Sequence, residues 1–287
     1  MNPASPPGAR VFAIANQKGG VGKTTTAINL ATALAACDKR LLILDIDPQA
    51  NATTGLGVPR EAIGPTSYDV LVDGARLADA ILPTQVPNLW ILPGSVDLAG
   101  AELELASALA REFRLRNALT DVAPGYDFVL VDCPPSLNLL TVNAFVAAAG
   151  VLVPLQCEYY ALEGLSQLLK TIDLVRQNLN ASLEIEGVVL TMYDKRNNLC
   201  DMVAADVRRH FGPRVFDTVI PRNVRLSEAP SHGKPALLYD LRCLGSQAYI
   251  QLAGELLRRE QPAGALVRPA PPSEPAPEPP AEPGAGA

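Results

Sequence analysis

The chain is short of cysteine, histidine, basic charge and long apolar runs, and each shortage narrows what it can be. Its 287 residues include five cysteines and two histidines, His210 and His232. The cysteines (Cys37, Cys133, Cys157, Cys200 and Cys243) are odd in number and form no C-x-x-C pair. That pattern argues against a Cys/His zinc site and fits the reduced thiols of a cytoplasmic protein. The longest apolar stretch, Val142–Cys157, is broken by Asn143, Gly150 and Pro154. It is too short and too interrupted to span a bilayer, and reads as a core helix followed by a buried strand. No charged-then-apolar segment near Met1 resembles a signal peptide. The formal charge is −6, and Arg268 against Glu274, Glu278 and Glu282 leaves −4 on residues 1–260. A net acidic body is not a protein coated in basic charge for nucleic acid, although it leaves room for a local basic patch.

At 48% hydrophobic and 19% charged, the composition is that of a globular protein. The ends differ. Residues 261–287 hold 9 of the 26 prolines and 7 alanines, with almost no large apolar side chain. Such a segment buries too little surface to offset its ordering entropy, so a disordered tail is expected there, and a disordered arm over residues 1–9. One domain is expected over residues 10–260.

Short apolar runs alternate with helical patterns in that body. Val11–Ala15, Leu41–Ile46, Leu89–Leu92, Phe128–Val131, Gly150–Leu155, Gly187–Thr191 and Val215–Ile220 read as buried strands. Between them, Lys23–Ala36, Ala101–Ala118, Leu137–Ala149, Leu162–Asn178, Leu199–Phe211 and Cys243–Arg259 read as helices. The strands lack the two-residue alternation of a half-exposed sheet, so both faces should be covered. The expected fold is α/β: a doubly wound, mostly parallel sheet with helices on both faces and ligands at the carboxyl ends of the strands. Trp90 and Phe128 read as core, and the two histidines as surface or capping residues.

The strongest local signal follows the first strand. Asn16-Gln17-Lys18-Gly19-Gly20-Val21-Gly22-Lys23-Thr24-Thr25 leads directly into a helix. Glycines let the backbone wrap so that its N–H groups point at phosphate oxygens, and the helix adds the positive end of its dipole. Lys23 should reach the β- and γ-phosphates, and the Thr24 hydroxyl should ligate Mg²⁺. Two apolar strands stop at acids. Asp45 and Asp47 end one, two residues apart and so expected on one face, before Pro48. Asp132 ends the other, ahead of Cys133-Pro134-Pro135. Beside a phosphate loop, Asp132 fits the acid that holds the metal through water. By itself Asp45 reads as a helix N-cap or the partner in a loop salt bridge. Cys133 reads as a small buried residue.

The loop departs from the ordinary G-x-x-x-x-G-K-T pattern, with Gln17 where glycine is required and an additional lysine at Lys18. KGGVGKT is the deviant Walker A motif, and here the chain resembles the ParA/MinD family of P-loop ATPases. Four more segments resemble its ParA/Soj-type chromosome-partitioning branch: Asp47–Gly57, Asp132–Leu137, Thr191–Arg196 and Val219–Ser231. The resemblance covers about residues 11–260. It implies ATP and Mg²⁺ as cofactors, held by Lys18 through Thr25 and by Thr24, Asp45 and Asp132. It implies that Asp47 positions the attacking water and that Lys18 crosses a dimer interface to the partner's nucleotide, as an arginine finger would. Pro221, Arg222 and Asn223, rather than Tyr159-Tyr160, are the candidates for the neighbourhood of the base. The guanine-reading N-K-x-D motif is absent, which favours ATP.

Lys195, Arg196, Arg208, Arg209, Arg214, Arg222, Arg225 and Lys234 stand against Asp201, Asp206, Asp217 and Glu228 between residues 195 and 234, a local charge of +4. Such a run reads either as a solvated face or as a phosphate-backbone footprint. The resemblance puts Arg196 and Arg225 on family positions that bind DNA without sequence preference. It further implies an ATP-dependent homodimer, a ParB-like partner, and a cytoplasmic, nucleoid-associated protein that segregates chromosome or plasmid DNA. The phosphate loop begins too early for the N-terminal helix-turn-helix of plasmid autorepressors. A MinD-like membrane or cell-pole ATPase would need a basic amphipathic C-terminal helix, where this chain has Pro, Ala, Glu and Gly. A nucleotide-dependent scaffold that barely hydrolyses ATP is the remaining alternative.

Overall fold

The computed structural model describes residues 8–158 and 161–260. Most of the expected arm, all of the expected tail, and Tyr159-Tyr160 lie outside them. Ala9, assigned to the arm from sequence, is buried.

Among the described residues one seven-stranded sheet forms the centre. Its strands are β1 (Arg10–Ile14), β2 (Leu41–Asp45), β3 (Leu82–Pro83), β4 (Leu89–Leu92), β5 (Phe128–Asp132), β6 (Gly150–Gln156) and β7 (Glu184–Thr191), in the order β3-β4-β2-β5-β1-β6-β7. All pairs are parallel except β3–β4. The chain builds outward from β1 to one edge, returns to insert β5, and then builds to the other edge. The carboxyl ends of β1, β2 and β5 thus sit side by side where the winding reverses, which is where open α/β sheets place their ligands.

Strand pleating explains why helices cover both faces. Alternate residues of one strand point to opposite sides, so Val11 and Ala13 enter one core while Phe12 and Ile14 enter the other. Helix α1 (Lys23–Ala35) lies on the Phe12 side. The short α2 (Asn51–Gly55), α3 (Leu77–Ala80), α4 (Ala101–Glu104) and α5 (Arg114–Leu119) follow. Then come α6 (Leu139–Ala147), α7 (Ala161–Asn178) and α8 (Asn198–Phe211), whose buried residues join the Val11 core. The described residues end with α9 (Val224–Glu228), α10 (Ala236–Tyr239) and α11 (Leu244–Glu260), which packs on α1. None of the described helices is long and apolar enough to cross a membrane.

Two expected elements are different in the structure. Val215–Ile220 is not a strand; it meets β7 through the isolated bridge Val188–Val215 and through the Phe216 and Ile220 amides, which donate to the Val188 and Leu190 carbonyls at 3.0 and 2.8 Å. Between them the amides of Asp217 and Thr218 donate to the Glu255 carboxylate on α11, at 2.9 and 3.0 Å. Those N–H groups are therefore lost to a ladder. The expected helix Ala101–Ala118 is broken after Glu104, and Ala110 takes a left-handed conformation (φ 52°). Asn143 of α6 accepts from the Leu115 amide and donates to the Arg111 carbonyl, replacing bonds a continuous helix would make. Trp90 is only half-buried, packed edge-on to Tyr126 under the Arg40 guanidinium, whereas Phe128 is core.

Candidate functional site

The loop between β1 and α1 is held at both limbs. Asn16, buried at the end of β1, donates to the Pro154 carbonyl of β6 at 2.8 Å and accepts from the Lys18 amide at 3.0 Å. At the other limb the Thr191 hydroxyl, at the end of β7, donates to the Val21 carbonyl at 2.8 Å. Gly20 (φ 73°) and Gly22 (φ 91°) take left-handed conformations that ordinary side chains resist. Nothing lies within 4 Å of where a Cβ on Gly19 or Gly20 would sit, so the loop faces open space.

Lys23 opens α1 and is 7% exposed. Its amine reaches back across the loop to the Lys18 carbonyl at 3.3 Å. Burial lowers its pKa, and the charges of Asp132 and Asp47 oppose that shift. Thr24 and Thr25 follow, half-buried. The Lys18 side chain turns to Glu158, just beyond β6, at 2.6 Å. The Gln156 amide supports the other oxygen of that carboxylate.

Asp45 and Asp132 are paired in register on β2 and β5, both with no exposed surface. Neither oxygen of Asp132 has a well-formed hydrogen bond, although the Thr24 side chain is near enough to favour the ionised form. Burial, then the charge of Asp45, push its pKa well above the usual carboxylate range. Asp45 is raised to about 6, mainly by burial, against the Thr53 hydrogen bonds. One Asp45 oxygen accepts from the Thr53 amide (2.8 Å) and hydroxyl (2.7 Å), which ties β2 to α2. The other oxygen is buried without a partner. Ala50, not Asp45, is the N-cap of α2; Asp45 instead holds that helix through Thr53, with one oxygen left over. Gly94, after β4, lies over this carboxylate; a Cβ there would come within 2.8 Å of the Asp45 Cγ.

Asp47 lies outside the strand. β2 stops at Asp45, so pleating does not set the direction of Asp47, contrary to the expectation of a shared strand face. Asp47 is buried in the following turn, where it accepts from the Gln49 amide at 3.0 Å. Its charge still acts on Lys23, Asp45 and Asp132. Cys133 is wholly buried, its thiol pushed far up by that burial, as suits a core residue.

Beside the loop opens a cavity of about 300 Å³. Pro221, Arg222 and Asn223 line it, with Gly22, Thr25, Thr191 and Tyr249. Tyr249 shares a hydrogen bond of 3.1 Å with Thr26 and so joins α11 to α1. Thr191 and Thr53 were not singled out from sequence, although both lie in segments that carried the resemblance. Nothing in the sequence marks Tyr249, which reads as one more apolar position of a packing helix.

The basic candidates stand apart. The Arg196 side chain is 89% exposed and grips Asp194 with two nitrogens, at 2.9 and 2.8 Å. Arg225 pairs with Glu228 at 2.8 Å and with Asp240 at 3.5 Å. His210 and His232 are exposed against Phe211 and Tyr239.

A glycine loop pinned between parallel strands, with a buried lysine at its helix and orphaned acids opposite, is the defining arrangement of the P-loop nucleoside triphosphatases. Comparison with known proteins narrows that class. A family described as an AAA domain matches residues 9–185. The chain is 61% identical over 254 residues to the chromosome partitioning protein ParA of Caulobacter vibrioides, covering 88% of this chain and 95% of that protein. It is 55% identical over 247 residues to the sporulation initiation inhibitor protein Soj of Bacillus subtilis, covering 86% and 98%. Among solved structures it resembles cobyrinic acid a,c-diamide synthase of Mycobacterium smegmatis with bound ATP analog and magnesium. That match has 37% identity, a TM-score of 0.77 and coverage of 87% and 95%. The chain belongs to the ParA/Soj family of chromosome-partitioning ATPases.

Proposed function

We propose that residues 10–260 form an ATP-driven dimerising switch. It binds DNA without sequence preference and segregates chromosome or plasmid DNA with a ParB-like partner, and Mg²⁺-dependent hydrolysis resets it. The observation that carries the nucleotide half of this reading is Asp132. A fully buried carboxylate with both oxygens unpartnered is costly unless a cation approaches it. Thr24, Asp132 and the free oxygen of Asp45 are the groups that would face Mg²⁺, which keeps water and phosphate oxygens as its other ligands. The bound metal would neutralise charge on the phosphates.

The chain's own residues supply the rest. The backbone of Gly19 through Gly22, with Thr24 and Thr25, cradles phosphates. Lys23 exchanges the Lys18 carbonyl for phosphate oxygens. Pro221, Arg222 and Asn223 flank the base and ribose. Asp47 orients the attacking water. Lys18 leaves Glu158 and reaches the nucleotide of the second protomer, so nucleotide occupancy and pairing rise together. Arg196 and Arg225 contact the DNA backbone. Pairing two protomers doubles those contacts, and affinity rises steeply because each contact releases counterion. Unaided hydrolysis is slow, on the order of 10⁻⁴ to 10⁻² per second, which suits a timed switch attached to the nucleoid.

Size-exclusion chromatography with light scattering tests the cycle on the Asp47→Ala variant. A dimer with ATP and a monomer with ADP are expected. A monomer under both conditions overturns the switch. Retention of the ATP-bound variant on nonspecific duplex DNA, lost at high salt, tests the DNA step.

A further inference from the structure

We infer that Thr191 is a positioning residue for the phosphate loop: its hydroxyl fixes the direction of the Val21–Gly22 peptide, and so the N–H that the loop offers to a nucleoside diphosphate. This rests on the nucleotide reading above and adds to it a residue from the far side of the fold.

Val21 has a left-handed glycine on each side, Gly20 and Gly22. The Val21–Gly22 peptide turns about ψ of Val21 and φ of Gly22, and the glycine leaves the second of these free, so the local sequence alone does not fix which way the Val21 carbonyl faces. The Thr191 hydroxyl sets it, by donating to the Val21 oxygen at 2.8 Å from 170 positions along the chain. In a planar trans peptide the carbonyl and the next N–H point in opposite directions. With the Val21 carbonyl turned to β7, the Gly22 N–H points away from β7 and into the loop. Backbone N–H groups are what such a loop offers an anion. A flipped peptide would present a carbonyl there and repel the phosphate.

The donor is itself well anchored. Thr191 is 2% exposed and paired with Gln156 at the end of the β6–β7 ladder. Its methyl group packs beneath the loop, within 3.9 Å of where a Cβ on Gly22 would be. Branching at Cβ limits the side chain to few rotamers. Beyond it, Met192 adopts a left-handed conformation (φ 50°), and the Tyr193 amide then donates to the Ile220 carbonyl at 3.0 Å. The strand end is therefore clamped on both sides of Thr191.

Thr191 also lines the cavity assigned to the base, so a test must separate the two roles. ADP and AMP, titrated calorimetrically into the whole chain and its Thr191→Ser, Thr191→Cys and Thr191→Val variants, do so. ADP affinity should follow donor strength: within about twofold of the parent for Ser, weaker for Cys, and about tenfold weaker for Val. AMP, which lacks the β-phosphate, should change by less than about twofold throughout. In turnover, Thr191→Val should raise KM for ATP far more than it lowers kcat. Equal losses for AMP and ADP, or a flat ADP series, overturn the role of Thr191. Should the Val variant not fold, the Ser-to-Cys step decides. A parent chain that binds no ADP overturns the nucleotide reading itself, whereas a binding parent with a flat series overturns only Thr191.

Discussion

The phosphate loop and the basic face after β7 both use cations, under opposite conditions. Lys23 is buried and held by the fold: its amine meets a backbone carbonyl and feels Asp132 at the end of β5 and Asp47 in the turn after β2. Arg196 is almost wholly exposed and neutralised by Asp194, two residues away. The first charge is expensive to bury, so the sheet must position its surroundings and little freedom remains. The second is solvated and screened, its ion pair worth little, so phosphate from outside can displace Asp194 at small cost. The contrast teaches that one region is a built pocket and the other an adjustable surface.

Five substitutions probe that contrast. Lys23→Ala should weaken ATP binding by about a hundredfold by calorimetry, since a buried charge-assisted contact is lost. Unchanged affinity would remove Lys23 from the pocket. Asp47→Ala should bind ATP and dimerise yet hydrolyse about a hundredfold more slowly; parental phosphate release would exclude it from the chemistry. Asp132→Asn should abolish Mg²⁺-dependent turnover while stabilising the nucleotide-free chain by about 1–3 kcal/mol near pH 8.

The sign of that last effect follows from linkage. A carboxylate raised above its unfolded value favours the fold in acid, and the benefit fades as pH rises through the raised value. The advantage of Asp132→Asn should therefore shrink as pH falls, and a gain in Tm that stays constant with pH would contradict the raised carboxylate.

Smaller effects are expected away from the pocket. Arg196→Glu should weaken retention on duplex DNA of every sequence and reduce the salt slope by about 1 per protomer, with dimerisation intact. Unaltered retention would place the DNA contact elsewhere. Glu255→Gln should destabilise the fold by about 1–2 kcal/mol in urea, because the Asp217 and Thr218 amides lose a charged acceptor. Burial alone would raise Glu255, but those amides and Arg259 hold it below its usual value. Its contribution is thus present at neutral pH and lost on acidification. A variant as stable as the parent would leave the irregular path of Val215–Ile220 without its cause.

Motifs built from neighbouring residues were legible before folding. The glycine loop, Lys23, Thr24 and the acids ending β2 and β5 could be read off because a strand, turn and helix in sequence leave their backbone few alternatives. Asp47 was legible as a residue but not as a position: it lies in the turn after β2, where pleating no longer applies. Misread elements failed where a distant side chain took backbone groups, as Glu255 does at Asp217 and Asn143 does at Leu115. No local periodicity records that competition.

The amino-acid order by itself determined a loop that can wrap phosphate and the strands that end in carboxylates, because those depend on covalent neighbours and two-residue pleating. Only the tertiary structure decided which strand ends meet, that Thr191 holds Val21, that Gly94 lies over Asp45, and that Tyr249 closes the cavity. These contacts join segments far apart in the chain. They exist only once the order of strands brings the segments together, and their geometry is set by packing rather than by local conformation.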